Sequence, residues 1–271
     1  MTTTAAWTPL TDIGDSAAAV VLAVDYPFTG RPEAGFTDLV GKLPRDLPVW
    51  ETVPPVKGAE TGMSGTDYVD RWYAEVGDRP VRAVLGFCAG SVYAAALADR
   101  IAGGDPGKRP TLLLFDPEAP NAITVYWQFH KVIDGLGVVL TPDEVTEAQR
   151  AGQRVSEQTT DLPELGRRLL EVFRRVAAVA FDRARLDAVR RADFVDTVAA
   201  FMSYLVAAAT IDASAGFRGA TAISSRTRTN GLNLVPPEER AGLVDREIRF
   251  DIEHADLLRD PDVVRAVAEH L

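Results

Sequence analysis

Apolar runs alternate with amphipathic segments over residues 1–120 and again over residues 219–271. Short continuous apolar runs are typical of strands that are buried on both faces of a sheet. Such strands are predicted at 18–24, 49–53, 80–85, 111–116, 220–224 and 247–252. Helices are predicted over 66–76, from Ser91 to about residue 101, and from Asp260 to the end. Strands that alternate with helices predict an α/β fold with a mostly parallel sheet and helices on both faces.

Residues 121–218 interrupt this alternation with helical patterns alone. The sequence from Thr141 to Glu144 places an N-cap, a proline at the first helical position and a glutamate at the third. Two further helices are marked by apolar positions at three-to-four spacing, which are Leu165, Leu169, Val172, Val176 and Val179, then Val198, Phe201, Met202 and Leu205. We therefore expect a core domain made of 1–120 and 219–271, with a helical lid inserted at 121–218.

The pentapeptide 86–90 (GFCAG) lies between a predicted strand and a predicted helix. Strand, Gly-x-nucleophile-x-Gly and helix form the nucleophile elbow of the α/β-hydrolase fold. The residue at the apex, Cys88, is the only cysteine of the chain. A thiol at this point predicts acyl transfer through an acyl-thioester intermediate. The alternative is that Cys88 is an inert, buried apolar residue.

A cysteine nucleophile requires a base, and the base requires a group that orients it. The fold carries its histidine between the last strand and the last helix, which is where His254 lies. His130 falls in the predicted lid, and His270 falls inside the terminal helix. His254 is therefore the predicted base.

Asp116 is the predicted orienting acid, because it ends the strand that follows the elbow helix. Asp245 precedes the last strand and Asp212 lies near the end of the lid, so both remain alternatives. The loop 225–230, where many α/β-hydrolases carry this acid, contains no carboxylate. The oxyanion hole is predicted to use the backbone N–H groups of Ala89 and Phe28.

The composition and net charge of the chain argue against several classes of function. The formal net charge of −10 argues against general nucleic-acid binding. A single cysteine excludes an internal disulfide framework and a cysteine-rich zinc site, and it fits a reducing cytoplasm. The three histidines show no metal-ligand spacing, so we expect no metal and no bound cofactor. The chain lacks a long uncharged apolar run and a signal-like N-terminus, which predicts a cytoplasmic protein without a membrane span.

Arginines are concentrated in the predicted lid, where they include Arg167, Arg168, Arg174 and Arg175. Aspartates and glutamates are interleaved with them, as on an ordinary solvated helix face. The alternative is a docking patch for an acidic partner.

In their order along the chain, these motifs resemble the thioesterases of polyketide and non-ribosomal peptide synthesis. That family has an oxyanion loop after an early strand, here 24–28, and Gly-x-Ser-x-Gly-Gly, here 86–91. The family's acid follows the next strand, as Asp116 does, and its late histidine precedes an apolar pair, as His254 does. The chain departs from the pattern in having Cys88 for serine and Ser91 for the second glycine.

The resemblance implies a small-molecule acyl substrate carried on 4′-phosphopantetheine, and an acidic acyl or peptidyl carrier protein as partner. Family members with cysteine are associated with forming strained rings or amides, or with moving acyl groups between carriers. Loading Cys88 from a carrier thioester is thioester exchange, which suits reversible transfer, aminolysis or cyclisation better than hydrolysis. The helix N-terminus and His254 are expected to lower the pKa of the thiol. Two alternatives remain, a dienelactone-hydrolase-like enzyme and a non-catalytic protein that binds an acyl group or a partner.

Overall fold

The computed structural model describes residues 5–11, 19–26, 32–44, 47–240 and 242–271. The strands are β1 (Trp7–Pro9), β2 (Val20–Val24), β3 (Val49–Thr52), β4 (Val81–Phe87), β5 (Thr111–Phe115), β6 (Thr221–Ser224) and β7 (Arg246–Arg249). The helices are α1 (Phe36–Val40), α2 (Gly65–Val76), α3 (Gly90–Ala102), α4 (Ala122–Gly135), α5 (Pro142–Gln158), α6 (Leu162–Arg183), α7 (Ala188–Ala208), α8 (Ala213–Gly216), α9 (Pro237–Arg240) and α10 (Pro261–His270). No helix within these ranges has the length and apolar character that crossing a membrane requires.

The strands in the described ranges form one sheet, in the order β1-β3-β2-β4-β5-β6-β7. β1 pairs with β3 in antiparallel fashion, and every other pairing is parallel. The carboxyl ends of β2, β4, β5, β6 and β7 therefore lie along one edge of the sheet. In parallel sheets this edge is where ligands bind.

Helices cover both faces of the sheet. Alternate residues of the central strands, including Leu85 and Leu113, pack in one core cluster with residues of α1 and α10. On the other face β4 contacts α3, and α3 contacts α2, where Tyr68, Trp72 and Tyr93 form a buried aromatic group. The central strands β2, β4, β5 and β6 are mostly buried on both faces, which explains why their sequences are continuous apolar runs, whereas the edge strands β1 and β7 are largely exposed.

The chain divides into two compact units. One comprises 1–55, 64–119 and 210–271 and contains the sheet, and the other comprises 56–63 and 120–209. The second unit is helical and consists mainly of α4, α5, α6 and α7, which pack against one another. Side-chain caps begin these helices: Asn121, Thr141, Asp161 and Asp187 each accept hydrogen bonds from backbone N–H groups of the first turn.

Candidate active site

Cys88 occupies the sharp turn between β4 and α3 in the sheet-containing unit. Its φ angle is +50°, in the left-handed region that non-glycine residues rarely adopt. Its backbone N–H donates a hydrogen bond to the carbonyl of Phe115, the last residue of the neighbouring strand β5, at 2.9 Å. The turn therefore presents the thiol at the carboxyl edge of the sheet, and the side chain is partly exposed.

The glycines of the pentapeptide are required by close approach of the backbone. A Cβ atom at Gly90 would lie 2.3 Å from the carbonyl oxygen of Val24, and one at Gly86 would lie 2.6 Å from Cα of Ser91. Ser91, the departure from the family pattern, is fully buried. Its hydroxyl donates a hydrogen bond to the Gly86 carbonyl at 3.1 Å, so the serine is satisfied inside the turn.

Asp116 and His254 form a buried pair at the same edge. Nδ1 of His254 lies 2.7 Å from Oδ2 of Asp116. The Asp116 side chain has no exposure, and that of His254 has 10%. The second carboxylate oxygen of Asp116 accepts a hydrogen bond from the backbone N–H of Ser225 at 2.8 Å. When the Nδ1–H of His254 donates to Oδ2 of Asp116, the lone pair lies on Nε2.

His254 is held through both its ring and its backbone. Its face stacks on Phe87, the residue before the nucleophile candidate, with ring centroids 4.8 Å apart and an interplanar angle of 13°. Its backbone N–H donates to the hydroxyl of Thr227 at 2.8 Å, and this hydroxyl donates in turn to Glu253 at 2.6 Å. Thr227 lies in the loop that has no carboxylate, so this loop supports the histidine without supplying its acid.

Glu118 is a carboxylate beside the thiol that the sequence did not single out. Its Oε2 lies 4.0 Å from Sγ of Cys88, and its backbone N–H donates to the Cys88 carbonyl at 3.3 Å. It follows Asp116 by two positions, on the loop that leaves β5. No motif marks that position, so only the observation that a second carboxylate shares the loop could have pointed to it.

The expectation of a lowered thiol pKa is wrong for this environment. Burial, followed by the carboxylate of Glu118, raises the pKa of Cys88 well above its ordinary value. Asp25 and Asp116 act in the same direction, and a hydrogen bond from the backbone of Ala89 opposes them. Desolvation and the neighbouring carboxylates thus raise the pKa of the thiol by more than the helix N-terminus lowers it. These surroundings favour the protonated thiol, whose proton must be removed during attack.

Of the two backbone N–H groups predicted to form the oxyanion hole, that of Ala89 lies within the described residues. The Ala89 N–H lies at the helix N-terminus, where it interacts with the Cys88 sulfur. Phe28, the second predicted donor, lies outside the described residues.

The alternative acids and bases lie away from Cys88 or have other partners. Asp212 caps α8 through Ser214, and Asp245 is exposed at the opposite edge of the sheet, before β7. His130 contacts Gln149 in the helical unit, and His270 contacts the carbonyl of Ala266 in α10. Among the described residues, no group of three or more His, Cys, Asp or Glu side chains could hold a metal ion.

The four arginines of the suggested patch lie on α6 in the helical unit. Arg167 forms salt bridges with Glu164 and Glu171, and Arg168 donates to the Thr159 hydroxyl at 2.7 Å. Arg174 and Arg175 are exposed and have no ion-pair partner among the residues described. The first two arginines therefore behave as a solvated helix face, while the second two remain open to an external partner.

Comparisons with known proteins concern structure alone, because no family model and no curated protein matches the chain. A holo four-domain nonribosomal peptide synthetase bound to AMP and glycine aligns at 13% identity with a TM-score of 0.57, over 97% of this chain and 20% of that chain. The chain thus spans about a fifth of that synthetase.

Two further structures match over nearly their whole length. The NocB thioesterase domain from the nocardicin cluster is 18% identical, with a TM-score of 0.54, over 98% of this chain and 99% of that one. An α/β-hydrolase enzyme from a Medee basin deep-sea metagenome library is 12% identical, with a TM-score of 0.53, over 97% and 91%. With the mostly parallel sheet and the strand–Cys88–helix turn, these likenesses identify the fold of the chain as that of the α/β-hydrolases.

Proposed function

We propose that the chain is a thioesterase-like acyl transferase with a Cys88–His254–Asp116 triad. It takes an acyl or peptidyl group from a carrier-protein thioester onto Cys88 and releases it by cyclisation, aminolysis, hydrolysis or transfer to another carrier. The observation that carries the proposal is that the left-handed Cys88 follows β4 while Asp116, which is paired with His254, follows the neighbouring strand β5. The likeness to the NocB thioesterase domain supports the same reaction class.

In the loading step, Nε2 of His254 accepts the proton of the Cys88 thiol while the sulfur attacks the carbonyl carbon of the donor thioester. The new S–C bond forms, and the Ala89 N–H stabilises the developing oxyanion. As the old C–S bond breaks, the departing pantetheine sulfur takes the proton from His254 and leaves as a thiol. Because its surroundings raise the pKa of the Cys88 thiol, His254 acts here as a general base, with Asp116 stabilising the imidazolium.

In the release step the acceptor attacks the acyl-thioester on Cys88. His254 removes the acceptor's proton and returns it to the Cys88 sulfur as the S–C bond breaks. A thioester is more reactive toward amines than an oxoester, so a cysteine favours aminolysis, cyclisation or return to a thiol. The acyl group travels on 4′-phosphopantetheine as substrate, and an acidic carrier protein is the partner.

The dienelactone-hydrolase alternative is less well supported. It requires an acid after β6, where residues 225–230 provide none, and His254 instead faces Asp116. A binding-only protein has no use for a buried histidine–carboxylate pair beside a thiol. Catalytic turnover would exclude the binding-only alternative.

The test is product analysis with an acyl-N-acetylcysteamine thioester and three acceptors, which are water, a primary amine and a second thiol. Mass spectrometry would follow each product for the wild type and for Cys88→Ala. We expect turnover that depends on Cys88, with amide or exchanged thioester exceeding free acid. Equal rates for the two proteins would overturn the proposal, and so would a wild type that is inactive with every donor and acceptor.

A further inference from the structure

A carboxylate beside the nucleophile is chemically unusual for a site that must generate a thiolate. Glu118 holds Oε2 4.0 Å from the Cys88 sulfur and is partly buried. Its main chain is tied to the turn by the hydrogen bond to the Cys88 carbonyl, so the loop that carries Asp116 also fixes Glu118. The placement results from the fold and does not depend on a long flexible segment.

Other negative groups at the carboxyl edge reinforce this charge. Asp25 follows β2 and is 5% exposed, and Asp116 follows β5 and is fully buried. Both carboxylates, with that of Glu118, act on the thiol and disfavour its ionised form. Asp116 is hydrogen-bonded to His254, and Oε2 of Glu118 lies 4.0 Å from the sulfur. The three carboxylates, of which Glu118 is 4.0 Å from the sulfur, therefore disfavour an anion there and attract a cation.

Acylation changes what Glu118 faces. The S–H bond is replaced by an S–C bond to the acyl carbonyl, and the carboxylate then lies beside the acyl group. An amino group on the carbon next to that carbonyl sits about 3–4 Å from the sulfur by ordinary bond lengths. This is within hydrogen-bond reach of an oxygen 4.0 Å from the same sulfur. An amine acceptor that approaches the thioester carbonyl enters the same space.

We propose that Glu118 is a specificity-determining residue that accepts a charge-assisted hydrogen bond from an amine beside the Cys88 sulfur. The amine is either the α-ammonium group of an aminoacyl donor or the nucleophile of an amine acceptor. This inference rests on the proposed function, in which Cys88 carries the acyl group. A charge-assisted hydrogen bond of this kind corresponds to a preference of about 10- to 100-fold over a neutral group.

The first experiment examines the surroundings of the sulfur without any acyl transfer. Cys88 is alkylated with 2-bromoethylammonium, iodoacetamide or iodoacetate, which are cationic, neutral and anionic. In each case the sulfur displaces the halide and loses its proton to the medium. Rates are followed by intact mass and divided by the rates of a free model thiol. The proteins are the wild type, Glu118→Gln and Asp78→Asn, a matched loss of one exposed carboxylate at the other edge of the sheet, before β4.

We expect the wild type and Asp78→Asn to prefer the cation over the neutral reagent by about 10-fold or more after normalisation. Glu118→Gln should lose most of this preference while thermal unfolding stays near that of the wild type. A preference that survives in Glu118→Gln, or one that is absent from the wild type, would overturn the proposal. Because no acyl donor is used, this result stands even if the proposed function fails.

The second experiment identifies the source of the amine. One arm compares loading from alanyl- and N-acetylalanyl-N-acetylcysteamine, and the other compares amine and hydroxyl acceptors with acetyl-Cys88. A selective loss of alanyl loading in Glu118→Gln assigns the amine to the donor. A selective loss of amide product assigns it to the acceptor. No change in either arm would overturn the inference, whereas loading by no donor at all would overturn the proposed function.

Discussion

At the scale of single residues, backbone strain is concentrated at the site. Only three non-glycine residues in the described ranges have positive φ, and two of them are Cys88 and Asp116. Such conformations cost about 1–3 kcal/mol each and persist where the surroundings impose them. Here the hydrogen bond from Cys88 to Phe115 and that from the Asp116 N–H to Ile223 fix both turns. The two strained residues end adjacent strands, which places thiol and carboxylate at the same edge.

Replacing Cys88 tests what the thiol contributes. Cys88→Ala should form no acyl-enzyme and keep its fold, because a small residue replaces a small one. Cys88→Ser should load but release mainly by hydrolysis, since an oxoester reacts less readily with amines and thiols. Product ratios from liquid chromatography and mass spectrometry check this prediction. Identical ratios for cysteine and serine enzymes would show that the thiol does not select the outcome.

Replacing Asp116 tests the orienting acid. Asp116→Asn keeps the shape but donates toward Nδ1, which favours the wrong tautomer and removes stabilisation of the imidazolium. The comparable change in a serine triad costs about 10⁴-fold in kcat. We expect roughly a 10²- to 10⁴-fold loss here, because the protonated thiol depends on His254 as base. Asp245→Asn, at the other edge of the sheet, is the matched control and should be near wild type; the reverse ranking would reject Asp116.

The pH dependence of thiol alkylation tests the electrostatic environment. Since burial and Glu118 raise the pKa of Cys88, the thiolate fraction at pH 7 is small and grows as pH rises. The iodoacetamide rate should therefore have its midpoint above the ordinary value of about 8.5. Glu118→Gln should shift that midpoint to lower pH, and Asp78→Asn should not. A plateau already reached at pH 7 in the wild type would contradict this environment.

At the scale of elements, the apolar runs and helix caps were enough to predict most of the fold. The central strands, α2 and α10 agree with their predicted ranges, because strands buried on both faces leave a strong pattern. The short elements β1, α1, α8 and α9 and the longer helix α4 are not individually predicted. β1 covers only three residues at an antiparallel edge, and α4 contains a mixed sequence with exposed Ile123 and Trp127 that gives no clear apolar face.

Some residues of the site can be predicted from their order along the chain, whereas others are identified only by how the chain packs. Asp116 and His254 were chosen from their places after strands, and the structure brings them to 2.7 Å; their catalytic roles stay predictions. Glu118 and Thr227 could not be chosen, since neither belongs to a motif and their roles come from loop conformation. The sign of the Cys88 pKa shift also required coordinates, because it depends on burial and on neighbouring carboxylates.

The elbow itself can be tested by adding a methyl group. Gly90→Ala would bring Cβ to 2.3 Å from the Val24 carbonyl oxygen, and backbone must move to relieve the contact. We expect a loss of about 1–3 kcal/mol in unfolding free energy, measured by urea denaturation. Gly135→Ala, at the end of α4 with open space around it, should not destabilise the protein. Equal midpoints for Gly90→Ala and the wild type would show that the turn is not tight.

At the scale of the whole molecule, the charge distribution suggests where a carrier protein binds. The chain is acidic overall, yet Arg174 and Arg175 lie exposed on α6 without an ion-pair partner among the described residues. A basic surface patch acts mainly on association rate and is weakened by salt. The helical unit thus offers a docking surface for an acidic carrier domain, which remains a proposal.

Charge reversal tests this surface. The double variant Arg174→Glu with Arg175→Glu should slow loading from a carrier-bound donor by about 10-fold at low salt, and the difference should shrink as salt rises. Loading from an N-acetylcysteamine thioester should be unchanged. Lys131→Glu with Arg150→Glu, two exposed cations of the same unit, is the matched control. Equal losses with both donors would assign the arginines to the helix and exclude the docking surface.

The most direct test of the account is the location of the acyl group during turnover. The wild type is mixed with an acyl-pantetheine donor, quenched in acid within the first turnover and digested, and tandem mass spectrometry locates the added mass. We expect one acylated peptide, modified at Cys88, that disappears in Cys88→Ala and forms far more slowly in His254→Ala. Product formation without acylated Cys88, or acylation at another residue, would contradict it.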